Sequence, residues 1–148
     1  MPDPDAKLLL REAMDSIGGL VEGLGTMDEM LPPLTMFLDE FAASGFECAM
    51  CALPPTPEVV YPGVEGVQRG WTDFSEMFEG VRADLQEIRE SPRGLVVLVN
   101  QVARTRTGGV EISQPSAMAF LFDAEGRVAR LEFHLDQQAA LRSAGIGP

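Results

Sequence analysis

The sequence has 148 residues and a mass of 16.0 kDa, and its 23 acidic and 11 basic residues give a net charge of −12. Such a charge repels phosphate backbones and anionic lipid surfaces, so we expect neither nucleic acid nor a membrane as a partner. The length suits one domain, and the 45% of hydrophobic residues is typical of a globular protein. The first ten residues, MPDPDAKLLL, lack the basic start of a secretory signal, so we expect a cytoplasmic protein.

Two cysteines, Cys48 and Cys51, have the C-x-x-C spacing of some redox and metal sites. Their segment reads as a strand, however, and residues three apart on a strand face opposite sides. A structural zinc site also needs four ligands. We therefore expect buried, reduced thiols, and neither a metal nor a cofactor.

The first part of the chain is predicted to be helical. Asp3 followed by Pro4 is typical of a helix start, and apolar residues recur at helical spacing as far as Gly23, which can end a helix over about 4–22. Thr26 and Glu29 then form a T-x-x-E capping box. A second helical stretch should follow, through two prolines, and end before residue 45.

From residue 46 the hydrophobic period changes to two. Short strands are predicted over 46–53 and 59–61 around the PPTP loop, followed by a helix over about 65–78. Strands over 81–89, 95–106, 110–122 and 127–135 should form an antiparallel meander, with a short helix over 136–144. Pro115 cannot donate to a ladder, so we expect it at a bulge or an edge. This order predicts an α+β fold.

Four segments resemble the nuclear transport factor 2-like superfamily, and within it the SnoaL-like proteins related to polyketide cyclases. They are YPGVEGVQRGW at 61–71, GGVEI at 108–112, FDAEGRVARLEFHLD at 122–136 and ALRSAG at 140–145. The resemblance covers residues 35–146 of a single domain over 1–148, with 1–34 as an N-terminal helical extension. It implies a cone-shaped fold, with the N-terminal helices on a curved antiparallel sheet around a pocket, and a homodimer.

Members of this superfamily include isomerases, cyclases, epoxide hydrolases and ligand binders, so the fold does not fix the function. Where the resemblance would place the two acids of the steroid isomerases, this sequence has Cys48 and Met118. Where it would place the Arg-x-Asp pair of the epoxide hydrolases, Gln101 and Ala103 stand. Neither chemistry is therefore expected.

The cyclase pattern needs one acid–base carboxylate, and the end of the last strand carries candidates. His134 and Asp136 are two residues apart, so on a strand they point to the same side and could act together as a catalytic pair. The alternative is that Asp136 caps the following helix while His134 belongs to a polar stripe with Glu132.

Two functions remain open. The first is a binding protein for a small apolar or neutral organic ligand, with a pocket of apolar and polar residues: Trp71, Phe74, Met118 and Phe120, with Tyr61, Gln101 and His134. The second is an enzyme of the cyclase, isomerase or lyase type that uses Asp136 and His134 on a neutral polyketide- or steroid-like substrate. Of the adjacent amides Asn100 and Gln101, one should face the pocket.

The strand LVVLVNQV, residues 95–102, carries apolar residues on both of its faces. Both faces therefore need cover, and the outer face of a four-strand meander would lack it in a monomer. We expect a homodimer packed sheet against sheet.

Overall fold

The computed structural model describes residues 4–22, 25–51 and 58–147, which form four helices and six strands. The predicted cap at Asp3, the helix end at Gly23 and the PPTP loop at 54–57 lie outside the described residues. In chain order the elements are α1 (Pro4–Glu22), α2 (Met27–Phe41), β1 (Ala42–Cys51), β2 (Val59–Pro62), α3 (Glu65–Ser75), β3 (Phe78–Ser91), β4 (Gly94–Thr105), β5 (Glu111–Phe122), β6 (Val128–His134) and α4 (Gln137–Ser143).

The predicted capping box starts α2. The Thr26 hydroxyl accepts a hydrogen bond from the Glu29 backbone N–H at 3.3 Å and donates one to the Glu29 carboxylate. The helix then passes through Pro32 and Pro33 and ends at Phe41, directly before β1.

The six strands form one open, mixed sheet in the order β2-β1-β6-β5-β4-β3. The predicted meander of β3 to β6 is present, but the sheet is not wholly antiparallel, because β1 pairs with β6 in parallel. It does not close into a barrel either, since β2 and β3 form its two edges. Pro115 lies where β5 extends past its pairing with β6, which begins at Ala117, so that side of the proline has no strand beside it.

Each face of the sheet has its own core. On the inner face, α1, α2 and α3 pack over residues such as Val97, Phe120 and Leu131. On the outer face, α4 covers an apolar patch formed by Val96, Leu98, Ala117 and Ala119. The sheet is therefore covered on one side by three helices and on the other by the short C-terminal helix.

The described part of the chain contains no helix long and apolar enough to cross a membrane.

Contact between α3 and β2 depends on glycine. A Cβ atom at Gly66 would collide with the carbonyl oxygen of Tyr61 and lie 2.9 Å from the Tyr61 Cβ. The absence of a side chain lets α3 approach β2, and this approach sets the position of the aromatic residues further along the helix.

Candidate functional site

A cavity of about 190 Å³ lies between the inner face of the sheet and the ends of α2 and α3. Its wall is mostly apolar and comes from eight elements and the residue after β6: Met27, Met50, Cys51, Val59, Trp71, Phe74, Ala83, Val99, Gln101, Ser116, Ala117, Met118, Phe133, His134 and Leu135. This volume is slightly larger than an apolar cavity of ~150 Å³ that accommodates benzene. The space therefore suits a molecule of about one ring.

One wall of the cavity is a stack of aromatic rings. Trp71 packs on Phe74 with 5.4 Å between ring centroids, and Phe74 packs on Phe78 at 5.0 Å. The Trp71 indole N–H donates a hydrogen bond to Asp28 Oδ1 at 2.8 Å, which joins α3 to the first turn of α2. The indole is therefore held by its polar edge while its ring faces the cavity.

Strand alternation decides which of the two adjacent amides reaches the cavity. Gln101 lines it, whereas Asn100 lies on the outer face and donates to Ser113 Oγ at 2.9 Å. The side-chain amide of Gln101 has no hydrogen-bond partner among the described residues, although the residue is half-buried. An amide in this position is free to bond a polar group of a ligand.

The structure separates the predicted pair at the end of β6. Asp136 is the N-cap of α4, and its carboxylate accepts a hydrogen bond from the Gln138 backbone N–H at 3.0 Å. Asp136 is also absent from the cavity wall, so the geometry matches the helix-cap alternative. His134 does contribute to the wall, but its imidazole Nε2 lies 2.7 Å from Glu132 Oε1 and not against Asp136.

Glu132 is the centre of a network on the outer face of β6. Its Oε1 accepts from Ser143 Oγ at 2.6 Å, and its Oε2 accepts from Arg130 Nε at 2.7 Å. Burial by itself raises the pKa of Glu132, but the hydrogen bonds from His134, Ser143 and Arg130 outweigh it and lower the pKa to about 2. Glu132 is therefore an ionised carboxylate, and the His134 nitrogen that faces it is the donor of the pair.

Arg130 extends this network across two further strands. Its guanidinium donates to carboxylate oxygens of Glu132, of Glu47 on β1 and of Glu58 beside β2, the last at 2.8 Å. Only Glu132 and His134 of these residues are buried. Sequence reasoning placed Arg130, Glu132 and His134 on the same side of the strand but missed Ser143, Glu47 and Glu58, because these come from other segments of the chain.

Two residues predicted to bind a ligand lie away from the cavity wall. Tyr61 points at α3, where its hydroxyl donates to Asp73 Oδ2 at 2.7 Å, and this bond raises the pKa of Tyr61 to about 12. Phe120 is fully buried and packs edge-on against Phe37, with 6.0 Å between ring centroids. Both contribute to packing between elements. Trp71, Phe74, Gln101 and Met118 do line the cavity, and their contact with a ligand stays a prediction.

The two cysteines are free thiols on opposite faces of β1. Cys48 is buried in the inner core, and burial raises its pKa to about 12. Cys51 is half-buried, lines the cavity, and has its pKa raised to about 12 by burial and by the nearby carboxylates of Glu132 and Glu58. A disulfide between two thiols on opposite faces would require a rearrangement of the strand. The expectation of buried thiols is confirmed for Cys48, whereas Cys51 is only half-buried.

No model of a protein family matches this sequence. No curated protein matches it either.

Solved structures do resemble the chain. A nuclear transport factor 2-like protein of unknown function from Burkholderia pseudomallei superposes with a TM-score of 0.55 at 17% identity, over 95% of this chain and 97% of that one. A putative SnoaL-like polyketide cyclase from Jannaschia sp. gives 0.54 at 14% identity, over 77% and 80%. The protein TerC, co-crystallised with polyporic acid, gives 0.58 at 15% identity, over 93% and 98%. At these identities the likeness concerns the fold, and it confirms the fold that the sequence motifs predicted.

Proposed function

We propose that this chain, which has the nuclear transport factor 2-like fold, binds a small, neutral and largely apolar molecule of about one ring in its cavity. The observation that carries the proposal is the cavity itself: about 190 Å³ with aromatic rings along one wall, and one amide that has no partner among the residues that the structure describes. Ligand sites are concave and mostly apolar, with few polar groups that orient the ligand. A neutral ligand is favoured because the net charge of −12 repels anions.

Within the site, the residues have separate roles. Trp71 and Phe74 provide a flat surface for stacking, while Met118 and Val99 close the opposite side. The Gln101 amide offers both a donor and an acceptor, so it orients a hydroxyl or carbonyl group of the ligand. A similar structure that was co-crystallised with polyporic acid supports the use of this fold for small molecules.

The alternative of an enzyme that acts on a polyketide- or steroid-like substrate is less well supported by this geometry. Its predicted base, Asp136, is occupied as the cap of α4, and His134 is bonded to Glu132. A cavity of about 190 Å³ is also below the usual range of ~300–1,000 Å³ for drug-sized ligands. We therefore place binding before catalysis.

We also propose a homodimer, but the structure removes one of the reasons for expecting it. The apolar outer residues Val96 and Leu98 of β4, which seemed to require a partner, are covered by α4 within the chain. The outer face beyond α4 carries polar side chains such as Asn100 and Ser113. The homodimer is therefore supported by the resemblance of the sequence to a dimeric superfamily. Its interface would be more polar than the sequence suggested.

Fluorescence offers a direct test, since Trp71 is the only tryptophan and lines the cavity. We expect toluene and phenol to change its emission in a saturable way, with phenol bound more tightly through Gln101. Replacement of the amide by an apolar side chain of similar size, Gln101→Leu, should lower the affinity for phenol by about 2- to 10-fold, which corresponds to one hydrogen bond. The affinity for toluene should not fall. Asn100→Ala, which changes the neighbouring amide on the other face, is the matched control and should change neither.

A second variant tests the cavity as a whole. Ala83 is buried in its wall, so Ala83→Leu should fill part of the space and abolish binding of both probes while the circular dichroism spectrum is unchanged. Native mass spectrometry of freshly purified protein should also reveal retained ligand. Saturable binding that persists in Ala83→Leu, or no response of the wild type to either probe, would contradict the proposal.

A further inference from the structure

Three side chains with metal-binding atoms converge on the outer face of the sheet, where β1 pairs with β6. One donor atom each of Cys51, Glu132 and His134 lies within 4.8 Å of the other two. The fold fixes this convergence: Cys51 on β1 pairs with His134 on β6 in the parallel register, and Glu132 precedes His134 by two residues on the same face. Glu132 and His134 are buried, and Cys51 is half-buried.

Negative charge around these donors is only partly compensated. The Arg130 guanidinium pairs with the carboxylates of Glu47, Glu58 and Glu132. Three negative charges thus share one positive charge, which leaves two negative charges in the direct contact network. Glu132 is the only buried carboxylate of the three, whereas the side chains of Glu47 and Glu58 are 37% and 47% exposed. The surplus negative charge therefore lies on the solvent side of the network, where it favours a divalent cation at the nearby donors.

We propose that Cys51, Glu132 and His134 bind one divalent transition-metal ion of the zinc type, in a three-ligand site with a further coordination position left for water or a ligand. The set of sulfur, nitrogen and oxygen donors is one that zinc accepts, whereas magnesium and calcium prefer oxygen alone. Three protein ligands with an open fourth position are typical of zinc sites that bind or activate another molecule. Cys51 and His134 are paired across β1 and β6, and their side chains share the outer face of the sheet with Glu132, so the open position lies on that face, near Ser143 of α4.

Small movements are enough to form the site. Two nitrogen or oxygen ligands at ~2.0–2.1 Å from tetrahedral zinc are about 3.3 Å apart, so the 2.7 Å contact of His134 Nε2 with Glu132 Oε1 must open by about 0.6 Å. The metal then takes the place of the shared proton, which moves to Nδ1 as the imidazole changes tautomer. Cys51 binds as the thiolate and releases its proton to the solvent.

A second layer already orients the carboxylate ligand. Ser143 on α4 donates to Glu132 Oε1 at 2.6 Å, and Arg130 holds the other oxygen at 2.7 Å. Hydrogen bonds of this kind to metal ligands typically change metal affinity by ~10–100-fold. This gives Ser143 a role that the sequence did not reveal, as a positioning residue.

Cobalt provides the test, because Co²⁺ bound by a thiolate shows a near-ultraviolet charge-transfer band and tetrahedral Co²⁺ absorbs strongly in the visible. We expect the chelator-treated full chain to bind one Co²⁺ with both features, and one equivalent of Zn²⁺ to displace it. Cys51→Ala should abolish the charge-transfer band, and His134→Gln should weaken binding by more than about 100-fold. Ser143→Ala should weaken it by ~10–100-fold.

Cys48→Ala is the matched control, since Cys48 faces the inner core and should not contribute to the band. Wild-type melting temperature should rise with Zn²⁺ but not with Mg²⁺, and this rise should disappear in Cys51→Ala. The proposal is overturned if the wild type shows no thiolate band, if Cys48→Ala abolishes it while Cys51→Ala does not, or if the Zn²⁺-dependent rise persists in Cys51→Ala. Circular dichroism of each variant separates loss of the site from loss of the fold.

Discussion

The indole N–H of Trp71 donates a hydrogen bond to Asp28 Oδ1 at 2.8 Å, and this bond connects α3 to the first turn of α2 at the rim of the cavity. Asp28 is itself in the helix turn where a negative charge is favoured. Asp28→Ala should lower the free energy of unfolding by about 1–3 kcal/mol, because it removes a hydrogen bond to a charged acceptor. Urea unfolding followed by circular dichroism measures this change.

Asp28→Asn is the control for that experiment, because the amide oxygen can still accept from the indole. It should keep more than half of the stability that Asp28→Ala loses. Equal losses in both variants would mean that the charge at the start of α2, and not the bond to Trp71, is the important contribution.

Tyr61 is the only tyrosine of the chain, so its ionisation can be followed by near-ultraviolet absorbance without interference from another phenol. The hydrogen bond to Asp73, together with burial, raises the pKa of Tyr61 to about 12, above the ordinary value of ~10. Because the folded pKa is raised, the contribution of this bond to stability is present below about pH 10 and is lost as the pH rises toward 12. Asp73→Asn should return the titration midpoint toward ~10, and an unchanged midpoint would contradict the assigned cause.

Gly66 and Gly19 should respond in opposite directions to the same substitution. Gly66→Ala introduces a Cβ that collides with the Tyr61 carbonyl, so we expect a destabilisation of ~1–3 kcal/mol, as for other overpacked sites. Gly19 is exposed within α1 and has open space around it, so Gly19→Ala should stabilise by ~0.5–1 kcal/mol through helix propensity. Thermal or urea unfolding of the two variants measures these changes in stability. Destabilisation of similar size in both would show that the close approach of α3 to β2 does not cause the loss in Gly66→Ala.

Asp136 should behave as a helix cap. Asp136→Ala should cost ~1 kcal/mol of stability, while Asp136→Asn should be nearly neutral, because asparagine caps a helix about as well. Binding of phenol or toluene, measured by Trp71 fluorescence, should be unchanged in both variants. A loss of binding in Asp136→Asn with normal stability would restore the functional role that the sequence suggested.

Sedimentation equilibrium at micromolar concentration tests the assembly. We expect the mass of a dimer, about twice 16.0 kDa. Since the available outer surface is polar, the dimer should dissociate more readily at high salt than an obligate apolar one would. A monomeric mass under these conditions would contradict the homodimer.

The sequence by itself determined the local elements and the inner core. The signals for these elements depend only on neighbouring residues. They are the capping box at Thr26, the change of hydrophobic period after residue 45, and the short turns between β3 and β6. Such signals act within a few residues, and for this reason the boundaries from β4 to α4 agree with the structure to within one residue. The prediction was wrong for the start of β1, which begins at Ala42 and not at residue 46, and for the junction of α3 and β3, which lies three residues earlier than expected. Trp71 and Phe74 in the cavity wall follow from the same amphipathic pattern.

Only the tertiary structure decided how distant segments meet. Parallel pairing of β1 with β6 leaves no local mark on either strand, yet it brings Cys51 beside His134 and carries Arg130 to Glu47. The sequence likewise showed that His134 and Asp136 could lie on one side of a strand. In the structure, Asp136 instead accepts a backbone hydrogen bond at the start of α4, and His134 is bonded to Glu132. Pairing between distant segments determines which side chains become neighbours, and these neighbours set the pKa and the hydrogen bonds of each charged or polar group.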